Sequence, residues 1–207
     1  MKFVKLIKPK IKKVLKNILN YLAPKFYFEK ITDIDLNKLK KNNIDTVLLD
    51  LDNTLVPWYN NYIDPEIYNW LNKLKSANFK VCIISNGLSI RVKRISKDLG
   101  FPFISNAIKP STRSIVKALR MLNSKPENTV IIGDQIFTDI LAGNRLGLTT
   151  ILVKPLAKVE LITTKFIRII EKKILRYLIN KNKIKIIKHK EIENYNFYPK
   201  DKRIYLK

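Results

Sequence analysis

The chain has 207 residues, 46% of them apolar, which suits one domain with a sizeable core, and it carries a formal net charge of +24. A single cysteine, Cys82, excludes an intramolecular disulfide framework and is typical of a reducing compartment. A single histidine, His189, argues against a two-histidine metal site or a Ser–His triad.

Most of the excess charge lies at the two ends of the chain. Residues 1–49 carry 12 basic and 4 acidic side chains, and residues 154–207 carry 16 and 5. Such flanks suit a membrane, nucleic acid or ribosome, although a compositional bias toward Lys, Ile and Asn would produce them as well. No segment reaches the ~18 uninterrupted apolar residues of a membrane span, and lysines interrupt any signal-peptide core. We expect a cytoplasmic protein, with peripheral contact at the inner face of the membrane.

Residues 10–23 predict a basic amphipathic helix. Its apolar residues recur at helical spacing: Ile11, Val14, Leu15, Ile18, Leu19 and Leu22. Pro24 ends the helix. The helix suits either a membrane interface or docking on the domain, and we assign residues 1–43 to it and its lead-in.

Strands and helices alternate through residues 44–180. Predicted strands lie at 46–51, 80–85, 130–133 and 149–153, and predicted helices at 65–77, 89–99, 112–122, 138–146 and 164–179. The last helix has the apolar stripe Phe166, Ile167, Ile170, Ile174 and Leu178. This alternation, with strands apolar on both faces, predicts a Rossmann-like three-layer α/β/α fold with a parallel sheet. Residues 181–207 indicate a basic tail, either an added strand pair or a mobile segment.

Polar residues follow three of the predicted strands, where ligands bind in parallel sheets. Asp50 and Asp52 follow the first, Ser85-Asn86-Gly87 the second, and Asp134 a later one, while Lys109 lies in a neighbouring loop. Three carboxylates on one rim would repel each other without a cation, and oxygen ligands alone suit Mg²⁺. A hydroxyl, a lysine and free backbone amides beside that metal indicate a phosphate site, and Asp139 would support the metal shell.

The motifs "DLDNT", "SNG", "KP" and "GDQIFTD", in this order, resemble those of the haloacid dehalogenase superfamily. The finer stretches "DLDNTLVPW", "GDQIFTDILAGNRLGLTTILV" and "TKFIRIIE" are similar to the capless YqeG family, related to the mitochondrial phosphatidylglycerophosphatases. The chain departs from the pattern at Gly87, where an asparagine is common. Only 32 residues separate Asp52 from Ser85, and 23 separate Ser85 from Lys109, so neither interval holds a cap domain.

The resemblance implies an aspartyl-phosphate mechanism. Asp50 would be the nucleophile and Asp52 the general acid and base. Mg²⁺ would be bound by Asp50, Asp134 and the backbone carbonyl of Asp52. The remaining motif residues would bind phosphate (Ser85, Asn86, Lys109) or support the site (Thr54, Asp139).

Three functions fit the sequence. The first is a Mg²⁺-dependent phosphomonoesterase acting on phosphatidylglycerophosphate at the membrane surface. The second keeps the enzyme and makes the substrate a soluble sugar phosphate or nucleotide. The third is a basic module bound to RNA or the ribosome, which the absence of any nucleic-acid motif disfavours without excluding it.

Overall fold

A computed structural model describes residues 17–157 and 162–187. Seven strands form one sheet: β1 (Phe26–Phe28), β2 (Thr46–Leu49), β3 (Lys80–Ile84), β4 (Phe103–Ile104), β5 (Thr129–Gly133), β6 (Thr149–Val153) and β7 (Lys185–Ile187). Their order is β4-β3-β2-β5-β6-β1-β7, and every pair is parallel. The predicted parallel sheet is therefore confirmed.

Helices connect the strands. They are α1 (residues 17–22), α2 (Leu36–Lys41), α3 (Pro65–Ser76), α4 (Ser89–Leu99), α5 (Arg113–Met121), α6 (Leu141–Arg145) and α7 (Ile162–Asn180), with a π-helical turn at Ile136–Ile140 before α6. Local chemistry sets their ends. Asp64 caps α3 by accepting a hydrogen bond from the Glu66 amide, and Gly100 ends α4 in the left-handed conformation with φ 66°.

The sheet separates two apolar cores. Successive residues of β2 point to opposite faces, so Val47 and Leu49 pack with helices α3 and α4, while Leu48 packs with α5 and α6. Cys82 is buried in the second core, as the sequence predicts. These three layers confirm the predicted α/β/α class.

Residues 50–109, all of them described, hold no cap domain. The β2–β3 connection contains a loop and α3, and the path from Ser85 to Lys109 contains only α4, β4 and loops. The carboxyl edge of the sheet is therefore open, as the spacing of the motifs predicts.

The sheet extends beyond residues 44–180 on both sides. β1 lies between β6 and β7, so segments from both flanks join the fold. Leu22 at the end of α1 is buried against Ile136 and Ile140, whereas Ile18 is half exposed. The other half of the predicted N-terminal stripe (Ile11, Val14, Leu15) and residues 188–207 lie outside the described residues.

The predicted apolar stripe of α7 is wrong in its first half. Phe166 is 69% exposed and Ile170 53%, whereas Arg168 and Glu171 are buried. The helix turns this charged pair inward because both side chains bond to the loop after β5, as described below. No helix among the described residues is long and apolar enough to cross a bilayer.

Candidate active site

The carboxyl ends of three adjacent strands bring the predicted residues together. β2 lies between β3 and β5, and the Asp50 amide donates to the Ile132 carbonyl at 2.9 Å, which fixes Asp50 at the end of β2. The chain then turns sharply at Asn53, whose φ of 64° is one that asparagine tolerates. Asp50 and Asp52 consequently face one open cavity of about 450 Å³.

Lys109 is the cation at the bottom of this cavity. It is 5% exposed, and its ammonium donates to Asp50 Oδ1 and Asp139 Oδ1, both at 2.6 Å, and to the Ile84 carbonyl at 2.8 Å. Three contacts use all the donors of an ammonium group. Lys109 is therefore held against the carboxylates, with no donor left over for a further ligand.

Burial sets the protonation of these groups. Burial raises the pKa of Asp50 to about 7, although Lys109 lowers it, and the neighbouring Asp139 adds to the rise. Burial alone would lower the pKa of Lys109, but the adjacent Asp139 and Asp50 raise it, so the lysine stays charged. An uncompensated carboxylate is costly at this position, which favours a further cation.

Asp134 is held in place by two residues of α7. Arg168 donates both to the Asp134 carboxylate and to its backbone carbonyl, and it pairs with Glu171 at 3.1 Å. Glu171 in turn accepts a hydrogen bond from the Phe137 amide at 3.0 Å. The buried pair on α7 thus fixes the loop that follows β5.

The carboxylates fit a divalent cation. Asp50, Asp134 and Asp139 offer oxygen atoms that all lie within 4.8 Å of one another, and Asp134 Oδ1 is buried without a hydrogen-bond partner. With Glu171 the cluster has four carboxyl groups against the two cations Lys109 and Arg168, and burial raises the pKa values of Asp50, Asp134 and Glu171, as expected where carboxylates lack enough counter-charge. An all-oxygen site with this excess of carboxyl groups suits Mg²⁺.

Gly133 makes room for this cluster. A Cβ atom at residue 133 would lie 2.3 Å from Cγ and Oδ2 of Asp139, so only glycine allows the carboxylate to sit there. Asp139 belongs to the π-helical turn, and its Oδ2 accepts from the Gln135 amide at 3.2 Å. Asp139 is therefore a member of the carboxylate cluster itself.

Asp52 belongs to a separate group at the mouth of the cavity. Its carboxylate accepts from Ser85 Oγ at 3.2 Å and pairs with Arg91 of α4. Arg91 also donates to the carbonyls of Pro57 and Asn60, at 2.9 and 2.7 Å. Arg91 thereby holds both the Asp52 carboxylate and the loop that follows it.

The loops after β3 and β4 are tied to each other. The Asn86 side chain accepts from the Lys109 amide at 2.8 Å and donates to the Lys109 carbonyl at 3.2 Å. A Cβ atom at Gly87 would lie 2.9 Å from Asp52 Oδ2, so this departure from the resembled pattern leaves space for the Asp52 carboxylate. Thr54 is buried, and its hydroxyl has no hydrogen-bond partner.

All the predicted site residues therefore lie at this edge of the sheet. The cavity is lined by Asp50, Asp52, Asn53, Trp58, Asn86, Gly87, Leu88, Arg91, Lys109, Gln135 and Thr138. Their catalytic, phosphate-binding and metal-binding roles remain predictions. The sequence reasoning missed Arg91 and Arg168. The burial of Arg168 could have been suspected only from its position inside the quoted stretch "TKFIRIIE".

Comparisons with known proteins identify the family of this chain. The sequence pattern of the family described as mitochondrial PGP phosphatase matches residues 8–157. The chain is 40% identical over 164 residues to the probable phosphatase YqeG of Bacillus subtilis, covering 79% of this chain and 95% of that protein. It is also 24% identical over 149 residues to phosphatidylglycerophosphate phosphatase 1 of Arabidopsis thaliana, covering 68% of this chain and 43% of that protein.

Among solved structures, the chain is similar to the cobalt-bound deoxy-D-mannose-octulosonate 8-phosphate phosphatase from Haemophilus influenzae. The identity is 18%, the match covers 67% of this chain and 90% of that one, and the TM-score is 0.47.

Proposed function

This chain belongs to the mitochondrial PGP phosphatase family and is a phosphatase of the haloacid dehalogenase type, and from that premise we propose that it hydrolyses phosphatidylglycerophosphate at a membrane surface, with Mg²⁺ as cofactor. The observation that carries the proposal is the buried carboxylate cluster at the bottom of a cavity that Asp52 also lines.

Asp50 is the proposed nucleophile. Its carboxylate attacks phosphorus, a bond forms between Asp50 and the phosphoryl group, and the bond from phosphorus to the substrate alcohol breaks. Asp52 donates a proton to the departing alcohol oxygen. It then takes a proton from the attacking water, which displaces the phosphate and regenerates Asp50.

The two carboxylates lie in different surroundings. Lys109 lies 2.6 Å from Asp50 Oδ1, and its charge favours the ionised nucleophile. Asp52 is nearer the solvent, where Ser85 and Arg91 orient it toward the cavity. Two carboxylates two positions apart in the chain thereby suit two different roles.

The residues that would hold Mg²⁺ are Asp50, Asp134 and Asp139, with the backbone carbonyl of Asp52 as a further ligand. Bound there, the cation would offset the repulsion between an anionic nucleophile and an anionic phosphate. Arg168 orients Asp134 so that its Oδ1 stays available.

The open mouth supports a large substrate. Without a cap domain, the cavity is reached directly from solvent, so a phosphate carried on a bilayer can enter it. The alternative is a soluble sugar phosphate or nucleotide, which the same opening would admit.

The test is phosphate release from lipid, sugar and nucleotide monoesters with Mg²⁺, for the parent chain and Asp50→Asn. We expect the highest kcat/KM on phosphatidylglycerophosphate and a loss of several orders of magnitude for Asp50→Asn, because an amide cannot form the acyl phosphate. A preference for a soluble ester would overturn the lipid substrate. A variant that keeps more than about a tenth of the rate would overturn the nucleophile assignment.

A further inference from the structure

Three exposed aliphatic side chains belong to the chain segments that line the cavity. Leu88 is 78% exposed, Ile90 85% and Ile108 75%, which are the highest exposures among the large apolar side chains described. Single exposed aliphatics are ordinary on protein surfaces, but a group of them beside an active site marks an interaction surface.

The hydrogen bonds of the site bring these side chains together. Leu88 lines the cavity, and Ile90 follows it in the first turn of α4. Ile108 immediately precedes Lys109, and the backbone of Lys109 is bonded twice to the Asn86 side chain in the loop that leads to Leu88. Leu88 therefore lines the opening, and Ile90 and Ile108 each adjoin a lining residue in the chain, Arg91 and Lys109.

The backbone at Ile108 is unusual for its residue type. Its φ is 54°, in the left-handed region that asparagine and glycine occupy and that β-branched residues rarely adopt. No packing explains an isoleucine there, because the side chain is in solvent. An outlier at the mouth of an active site indicates a functional reason for the side chain.

The two chain segments that carry these aliphatic side chains have basic residues and no acidic ones. Residues 86–97 and 106–126 contain no Asp or Glu and nine Lys or Arg residues, of which Lys93, Arg94 and Arg113 are exposed beside the mouth. Ile90 shares one face of α4 with Lys93 and Arg94, which follow it at helical spacing. The mouth thus combines aliphatic side chains with positive charge.

We propose that this mouth surface, formed by Leu88, Ile90, Ile108, Lys93 and Arg94, docks on an anionic lipid bilayer. Aliphatic tips inserted below a ring of cations are the pattern of interfacial binding, whereas a nucleic acid gains from stacked aromatic rings and little from Leu or Ile.

The inference rests on the proposed function and deepens it. Docking at the mouth sets the cavity against the headgroups, and the bilayer then covers the opening that no cap domain covers. Docking of this kind needs no change of the fold. The protein need not close over the substrate phosphate, because the bilayer presents that phosphate to Asp50.

A local fluorescence measurement tests the contact. The described residues contain one cysteine, Cys82, which is buried and whose pKa burial raises to about 12, so an introduced exposed cysteine reacts selectively. We would label Ile90→Cys with an environment-sensitive fluorophore, and Met121→Cys at the far end of α5 as the matched control. The probes are vesicles of phosphatidylglycerol and phosphatidylcholine, vesicles of phosphatidylcholine alone, and a single-stranded RNA.

We expect a blue shift at position 90 with phosphatidylglycerol vesicles, and none at position 121 or with phosphatidylcholine alone. The unlabelled double variant Ile90→Gln/Ile108→Asn should partition about 25-fold more weakly, at roughly fivefold per aliphatic side chain. No shift at 90, equal shifts at 90 and 121, or a shift produced by RNA instead would overturn the proposal.

This result is independent of the substrate assignment. If the fluorescence of the label at position 90 shifts on vesicles while phosphatidylglycerophosphate is not hydrolysed, the docking proposal is supported and the lipid substrate is refuted. If the lipid is hydrolysed without a fluorescence shift at position 90, the substrate assignment is supported and the mouth surface is not the membrane contact.

Discussion

Replacing Arg168 by methionine tests the link between α7 and the carboxylate cluster. The substitution leaves the Asp134 carboxylate buried, next to Asp50 and Asp139, and without its counter-charge. Breaking a buried ion pair from one side costs about 3–5 kcal/mol, because the partner is left buried without its counter-charge. For a domain of this size that corresponds to a fall in Tm of about 6–20 °C.

The assay is thermal unfolding with EDTA and with Mg²⁺, and the matched control is Arg176→Met on the exposed side of the same helix. Mg²⁺ should narrow the difference in Tm between Arg168→Met and the parent, because a bound cation compensates the unpaired carboxylate of Asp134. Lower pH should narrow it too, since protonation neutralises Asp134. A fall of less than about 2 °C in EDTA, or an equal fall for Arg176→Met, would refute the reasoning.

Three further predictions concern the metal, the glycine beside it and the N-terminal segment. Burial raises the folded-state pKa of Asp50 to about 7. Without metal, this group's contribution to stability is therefore full below its unfolded pKa near 4 and lost as the pH rises through 7. Mg²⁺ should raise Tm more at about pH 8 than at about pH 5, and Asp134→Ala should reduce that rise and remove activity. Gly133→Ala should destabilise the fold by about 1–3 kcal/mol in denaturant unfolding and weaken Mg²⁺ binding, because the new Cβ overlaps Asp139. Deleting residues 1–16, which carry seven lysines and no acid, should weaken sedimentation with anionic vesicles and leave turnover of a soluble ester unchanged; equal losses on both would contradict a membrane role.

The sequence predicted the central sheet because its strands are continuous apolar runs bounded by turn residues. It did not predict β1 or β4, and it offered a strand in the region of β7 only as an alternative to a mobile segment; these strands have three, two and three residues. Strands this short have no readable alternation, and β1 is held by neighbours more than 120 residues later in the chain. Their pairing is a long-range property that no local pattern encodes.

The site likewise has residues that local patterns predict and residues that depend on long-range contacts. The positions of Asp50, Asp134 and Lys109 followed from strand ends and motif order. Arg168 did not, because an arginine within an apolar helix pattern usually indicates a solvated side chain, and its partner lies 34 residues earlier. The predicted stripe of α7 was wrong for the same reason: the inward face was selected by charge pairing, whereas the prediction assumed apolar burial.

The position of Arg168 in the chain also determines when the enzyme is complete during synthesis. The four motifs emerge from the ribosome first, and Arg168 follows Asp134 by 34 residues, about 2–7 s later at about 5–20 residues per second. Until α7 emerges, Asp134 lacks Arg168, which orients it, although Asp50 and Lys109 are already translated. A nascent chain that ends before residue 168 therefore carries all four motifs, but its carboxylate cluster is not yet held by α7.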